Sequence, residues 1–127
     1  MKTPVHESQI PWEVWYEATD REVRGKALCD EGGESKIGFG LMELAPGSNT
    51  RPAHYHSDEE EHLMALSGEA NLHLGAKTYK LEAGSYICFP AGQQILHHLE
   101  NNSDQPFRYI MVGERIKGDI VVHEDNT

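Results

Sequence analysis

Two histidines, His54 and His56, stand two residues apart, and four consecutive acids, Asp58 to Glu61, follow directly after Ser57. In a β-strand, residues at i and i+2 point to the same face. If Arg51 to His56 is extended, the two imidazoles project side by side. Two imidazoles held that way can grip one metal ion, and a carboxylate from the following strand can be a third ligand. The spacing alone leaves open which acid would serve. A solvated polar loop rich in His and Glu is the competing reading, and the other elements must decide.

Those elements read as short strands separated by turn signals. A first strand is expected over 21–29, and a turn over 30–35, where two glycines sit among polar residues. Ile37 to Leu44 follows, then Arg51 to His56. Glu61 to Ser67 carries Leu63, Met64, Ala65 and Leu66, apolar on both faces, and is expected to be buried on both sides. Ala70, Leu72 and Leu74 alternate with Glu69, Asn71 and His73, a half-buried strand with His73 on the solvent side. Further strands are expected over 77–81, 85–89, 96–100, 107–112 and 119–123. About nine strands at this spacing, with no long helical period, predict an all-β sandwich or barrel.

A metal site needs ligands that converge from separate elements. Among the downstream histidines, His62 alternates away from Glu61, and His97 and His98 must face opposite ways. His97 shares parity with Leu99 and His98 with Glu100, so His97 is expected to face inward. His98 stays open as the alternative. Cys29 and Cys88 form no Cys-x-x-Cys pair and are expected to be reduced, with Cys88 a small core residue in its apolar run.

The 127 residues suit one domain. A net charge of -10, from 11 basic and 21 acidic side chains, argues against nucleic acid and anionic membrane surfaces as partners. No apolar run approaches the ~20 residues that span a bilayer, and the first residues lack the apolar core of a signal peptide. The expected setting is the cytoplasm.

The run Gly47-x6-His54-x-His56-x4-Glu61-x6-Gly68 resembles the first motif of the cupin superfamily. Gly84-x5-Pro90-x-Gly92, followed by His97-x3-Asn101, resembles the second. The resemblance covers residues 37–113, and the ending around Gly113 and Gly118 to Val122 is similar to a bacterial subgroup of small single-domain cupins. It implies a double-stranded β-helix, a jelly-roll barrel with a metal in its mouth. It implies the ligands His54, His56, Glu61 and His97, with Glu61 chosen by its six-residue gap to Gly68. Two positions depart from the usual pattern: the turn before His97 is two residues longer, and Ser85 stands where many cupins have Asp.

On this reading residues 1–36 form an N-terminal arm and first strand packing on the barrel or a partner, and 37–127 the barrel. Trp12, Trp15, Tyr16 and Tyr55 are candidates for a homodimer interface, which the resemblance also implies. Three imidazoles and one carboxylate suit Mn, Fe, Co, Ni, Zn or Cu. The expected function is a small metal-dependent enzyme, of oxygenase, isomerase or decarboxylase type, acting on a small polar or anionic substrate. His98, Tyr109 and Glu60 are candidate bases, and Phe39, Met42, Tyr109 and Met111 candidate pocket walls. The alternative is a non-catalytic module binding a sugar or sugar phosphate.

Overall fold

The computed structural model describes residues 3–29 and 35–124, so the turn expected over 30–35 lies, but for Ser35, outside the described residues. Among the described residues a short 3-10 helix, Glu7–Gln9, precedes eleven strands. They are β1 (Glu13–Trp15), β2 (Val23–Ala27), β3 (Ile37–Leu44), β4 (His54–His56), β5 (Glu61–Ser67), β6 (Glu69–Leu74), β7 (Lys77–Glu82), β8 (Tyr86–Phe89), β9 (His97–Glu100), β10 (Phe107–Glu114) and β11 (Val121–His123). The described residues contain no helix long and apolar enough to cross a membrane.

The strands form two antiparallel sheets, ordered β1-β2-β3-β10-β5-β8 and β11-β4-β9-β6-β7. Consecutive strands β4 and β5 therefore lie in different sheets, as the jelly-roll double-stranded β-helix requires. Alternation decides what fills the space between the sheets. Leu44 and Phe107 are fully buried, Leu63 and Leu72 are 1% exposed, and Ala65, Leu99 and Tyr109 complete the core around them. Gly68 joins β5 to β6 at φ 77°, and a Cβ there would collide with the Pro106 carbonyl oxygen, so the position needs glycine.

Several expectations change. The first strand is shorter than 21–29, and a further strand, β1, pairs with it through Trp15 opposite Val23. β4 begins at His54 rather than Arg51, after Pro52, which has no N–H to donate to a ladder. β5 is not buried on both faces: Leu63 and Ala65 are buried, but Met64 is 46% and Leu66 38% exposed. The reason is sheet position. The outer face of this sheet has no layer over β5, and Met64, Ile110 and Leu41 form one outward row across it. A bulge between Arg108 and Tyr109 places Leu66 outside the regular pairing. Cys88 is likewise not a core residue. Its neighbour Phe89 takes the inward position, and Cys88 lies half-buried on the outer face opposite His62.

The N-terminal segment packs against its own chain. Glu7 accepts a 2.6 Å bond from the buried Lys26 ammonium. The Trp12 ring lies over the Arg24 guanidinium at 4.1 Å and near Lys26 at 4.5 Å. Beneath it, Glu43 Oε1 accepts two bonds from the Arg24 guanidinium and Oε2 accepts two from that of Arg108. Burial alone would raise the Glu43 carboxyl, but these bonds hold it below its ordinary value.

Candidate metal centre

The site forms where β4 and β5, strands of opposite sheets, face each other. β4 sits between β11 and β9, with His54 opposite both His97 and His123. β5 brings Glu61 from the other sheet, where its partners are Gly113 and Phe89. A side chain at Gly113 would press on the Glu61 side chain, since an added Cβ would lie 3.2 Å from Glu61 Cγ. Glycine there keeps the carboxylate's space open. The 57–60 loop between the two strands is tied down by its backbone. Asp119 Oδ1 accepts the N–H groups of Asp58 and Glu59, Ser57 N–H donates to the Ile120 carbonyl, and Glu114 accepts from Glu60 N–H. From the second motif, Gly92 N–H donates to the His56 carbonyl.

One ligand atom from each of His54, His56 and Glu61 lies within 4.8 Å of the other two. His97 adjoins them, its ring centroid 4.7 Å from that of His54, and stacks on Phe89 at 3.8 Å. His97 therefore faces inward. His98 points the other way, stacked on His73 at 4.5 Å, and does not reach the cluster. It is buried all the same, at 7% exposed, and His73 beside it is half-buried rather than on an open solvent face.

The charges at this site are unbalanced in an informative way. His56 Nδ1–H donates to Asp119 Oδ2 at 2.7 Å, since an ionised carboxylate only accepts. That leaves Nε2, 3.1 Å from Glu61 Oε1, without a proton in the neutral ring. Glu61 Oε1 is buried and finds no aligned hydrogen bond. A lone pair facing a buried carboxylate oxygen is repulsive unless something positive lies between them. Either a second proton on His56 or a cation meets the need. The titration tendencies agree. Burial raises the Glu61 carboxyl, with Glu59 and Asp119 adding to the rise against His56. Burial alone would lower His56, but Asp119, Glu61 and Glu59 together raise it. His54 and His97 are pushed down by burial and by neighbouring imidazoles, His97 to about 4. Both are thus neutral near pH 7, the form in which imidazole donates a lone pair to a metal. The donor set and the unpaired Glu61 oxygen fit a divalent cation.

Two cavities border the cluster. One, of about 110 Å³, has His56, Glu59, Leu74, Phe89, Ile95 and His97 in its wall. The other, of about 280 Å³, is walled by Glu61 with Phe39, Met42, Met111, Trp15 and Arg115 among others. Phe39, Met42 and Met111 thus line a cavity as expected. Tyr109 does not, being 3% exposed in the core, where burial raises its hydroxyl. Of the expected bases, Glu60 is on the outer side of the β5 entry, bonded to His62 at 2.8 Å, and His98 is turned away. Asn101 does not orient His97. Its amide donates to the Leu44 and Gln105 carbonyls, and its oxygen accepts from Ser103, closing the 101–106 turn.

Asp119 was not singled out by the sequence pattern, because 63 residues separate it from His56. Its signal was the Gly118-Asp119 pair in the turn just before the final strand, which begins at Val121 rather than at 119. Glu59, one of the four consecutive acids, lies with one oxygen 3.6 Å from His56 and the other accepting from Ile116 N–H.

Comparison with known structures gives a consistent picture. A sugar phosphate isomerase of the cupin superfamily from Silicibacter pomeroyi superimposes with a TM-score of 0.86 at 25% identity, over 97% of this chain and 82% of that one. A predicted oxalate decarboxylase from Thermotoga maritima gives 0.76 at 26% identity, over 90% of this chain and 100% of that one. A polyketide cyclase from Streptomyces resistomycificus gives 0.83 at 22% identity, over 100% and 88%. A search of curated proteins found no match. The family model described as "Cupin domain" matches residues 40–113, the span that carries both motifs, the core and the lining of the smaller cavity; the chain belongs to the cupin family.

Proposed function

We propose that this protein is a divalent-metal-dependent enzyme acting on a small anionic organic substrate, with His54, His56, Glu61 and His97 holding the ion. The observation that carries the reading is the buried Glu61 oxygen facing His56 Nε2 with no hydrogen bond of its own. A bound Mn, Fe, Co, Ni, Zn or Cu ion would supply Lewis-acid chemistry, or oxygen activation for a redox metal. The remaining steps belong to the chain. Asp119 fixes the His56 tautomer and aims Nε2 into the site. Phe89 stacks on His97 and limits its rotation. Phe39, Met42 and Met111 give the larger cavity an apolar wall beside Glu61.

Support for isomerase or decarboxylase chemistry comes from the functions ascribed to the two structures at 25% and 26% identity. The second reading, a non-catalytic sugar or sugar phosphate binder, draws on a specific observation. None of His98, Tyr109 and Glu60 offers a base to the cluster. A homodimer goes with either reading. Ile37, Phe39, Met64, Leu66 and Tyr86 leave apolar surface exposed on one sheet, and light scattering at micromolar concentration tests it. A cytoplasmic setting, with Cys29 and Cys88 as free thiols, completes the proposal.

Elemental analysis of untagged protein, with His56→Ala beside it, is the test. Near-stoichiometric metal in the wild type and loss of most of it in the variant is the expected result. Equal metal content in the two would overturn the ligand assignment. No metal in either, even after adding it back, would leave the binding module.

A further inference from the structure

A second set of donors converges outside the barrel. On the outer face of β5 and β8, His62 stands directly opposite Cys88, and Tyr86 shares the Cys88 face two residues earlier. His62 Nε2 is 2.8 Å from Glu60 Oε2 and 3.8 Å from Cys88 Sγ. One oxygen, one nitrogen and one sulfur lie mutually within 4.8 Å. Glu61 faces the interior between Glu60 and His62, so this group and the barrel cluster use opposite faces of one strand entry and share no residue.

We propose that Glu60, His62 and Cys88 form a second divalent-cation site, of the zinc class, on the outer face of the sheet. Zinc bonds to His nitrogen at about 2.0–2.1 Å and to Cys sulfur at about 2.3 Å, which at a tetrahedral angle separates the two ligands by about 3.6 Å. The 3.8 Å between His62 and Cys88 already meets that spacing, and Glu60 is a side chain with room to swing outward, 46% exposed. The imidazole is also held for the task. Without an ion, His62 Nε2–H donates to the Glu60 carboxylate and Tyr86 Oη–H donates to Nδ1; when the ion takes Nε2, the proton shifts to Nδ1, where Tyr86 Oη, 2.6 Å away, accepts it. Thiolate and carboxylate together neutralise a divalent ion. Burial and the Glu60 carboxylate raise the Cys88 thiol, so its proton leaves to solvent as the ion takes its place. With three protein donors the ion keeps a fourth position for water. The two sites differ in chemistry, since the barrel cluster offers only nitrogen and oxygen and this one offers sulfur.

The difference supplies the experiment. The full chain, stripped with a chelator, is titrated with cobalt(II), whose bond to a thiolate gives a charge-transfer band in the near ultraviolet that nitrogen and oxygen ligands do not. The expected result is one such band per chain. It should be kept in Cys29→Ser and in His56→Ala, lost in Cys88→Ser, and require at least about tenfold more cobalt in His62→Ala. Tyr86→Phe should weaken it by about tenfold. A titration to saturation without the band, or a band that survives Cys88→Ser, would overturn the site, as would unchanged affinity in His62→Ala. Because the band reports sulfur alone, failure here leaves the barrel site standing, and failure of the barrel site leaves the band.

Discussion

The two sides of the β5 entry are built from the same residue types and behave differently. On the inner side Glu61 meets His54 and His56 in the space between the sheets, where one of its oxygens has no hydrogen bond. On the outer side Glu60 and His62 bond to each other, and His62 also to Tyr86, with both side chains more than a third exposed. Strand parity assigns neighbours in sequence to environments of different dielectric. A carboxylate in water needs no partner, whereas a buried one must be protonated, paired or bound to a cation. The inner site is thus under electrostatic tension that a bound cation would relieve, and the outer group is already satisfied and would bind an ion more weakly.

Paired substitutions sharpen this contrast. The largest effect is expected from Glu61→Ala, which should weaken metal binding in the barrel by more than about 100-fold, while Glu60→Ala leaves it within a few fold. The comparison uses metal-competition titrations, and similar losses in both would mean the faces are misassigned. Next is the pair on β9. His97→Ala should cost about 100-fold in the same affinity and His98→Ala little, because only His97 faces His54. A worse loss at His98 would overturn the register.

The same division should appear in stability. Leu63 is 1% exposed and Met64 46%. Leu63→Ala is expected to cost about 2.5 kcal/mol in urea unfolding, and Met64→Ala less than about 1 kcal/mol. Comparable costs would show that the outer row is covered in solution, as a dimer would cover it.

The smallest effect concerns Glu43, on the outer face but buried beneath Trp12 and held by two arginines. Its folded pKa lies below the ordinary value of 4.5. A depressed carboxylate contributes stability at pH above 4.5, and that contribution is lost as pH falls through the folded pKa. Glu43→Gln should therefore cost about 1–2 kcal/mol at pH 7, discounted because both guanidinium groups are a third or more exposed. The gap from wild type should narrow as pH falls below 4.5 through the folded pKa. A gap that is constant with pH would mean that packing under Trp12, not charge, holds this corner.

Much of the arrangement was legible in the chain. His54 and His56 on one face, His62 turned from Glu61, and His97 inward with Leu99 all follow from the period of two, which is a local property of extended backbone. The turn glycines at 47, 68, 84 and 92 all take positive φ, and they marked where strands end. Parity could not say which face has a second layer, so the β5 apolar run was misjudged on Met64 and Leu66. For Cys88 the apolar neighbours suggested a core, whereas strand alternation sets it on the face opposite to Phe89.

The amino-acid sequence by itself determined the strands, their faces and the two motifs that fold them into a jelly roll, because alternation and turn chemistry act over a few residues. Only the tertiary structure decided that Asp119 orients His56 across 63 residues, that Gly113 makes room for Glu61, and that Glu61 Oε1 is left without a hydrogen bond. It also decided that Cys88 meets His62 rather than the core. These contacts depend on strand order and on what lies above each sheet, and no local pattern encodes either.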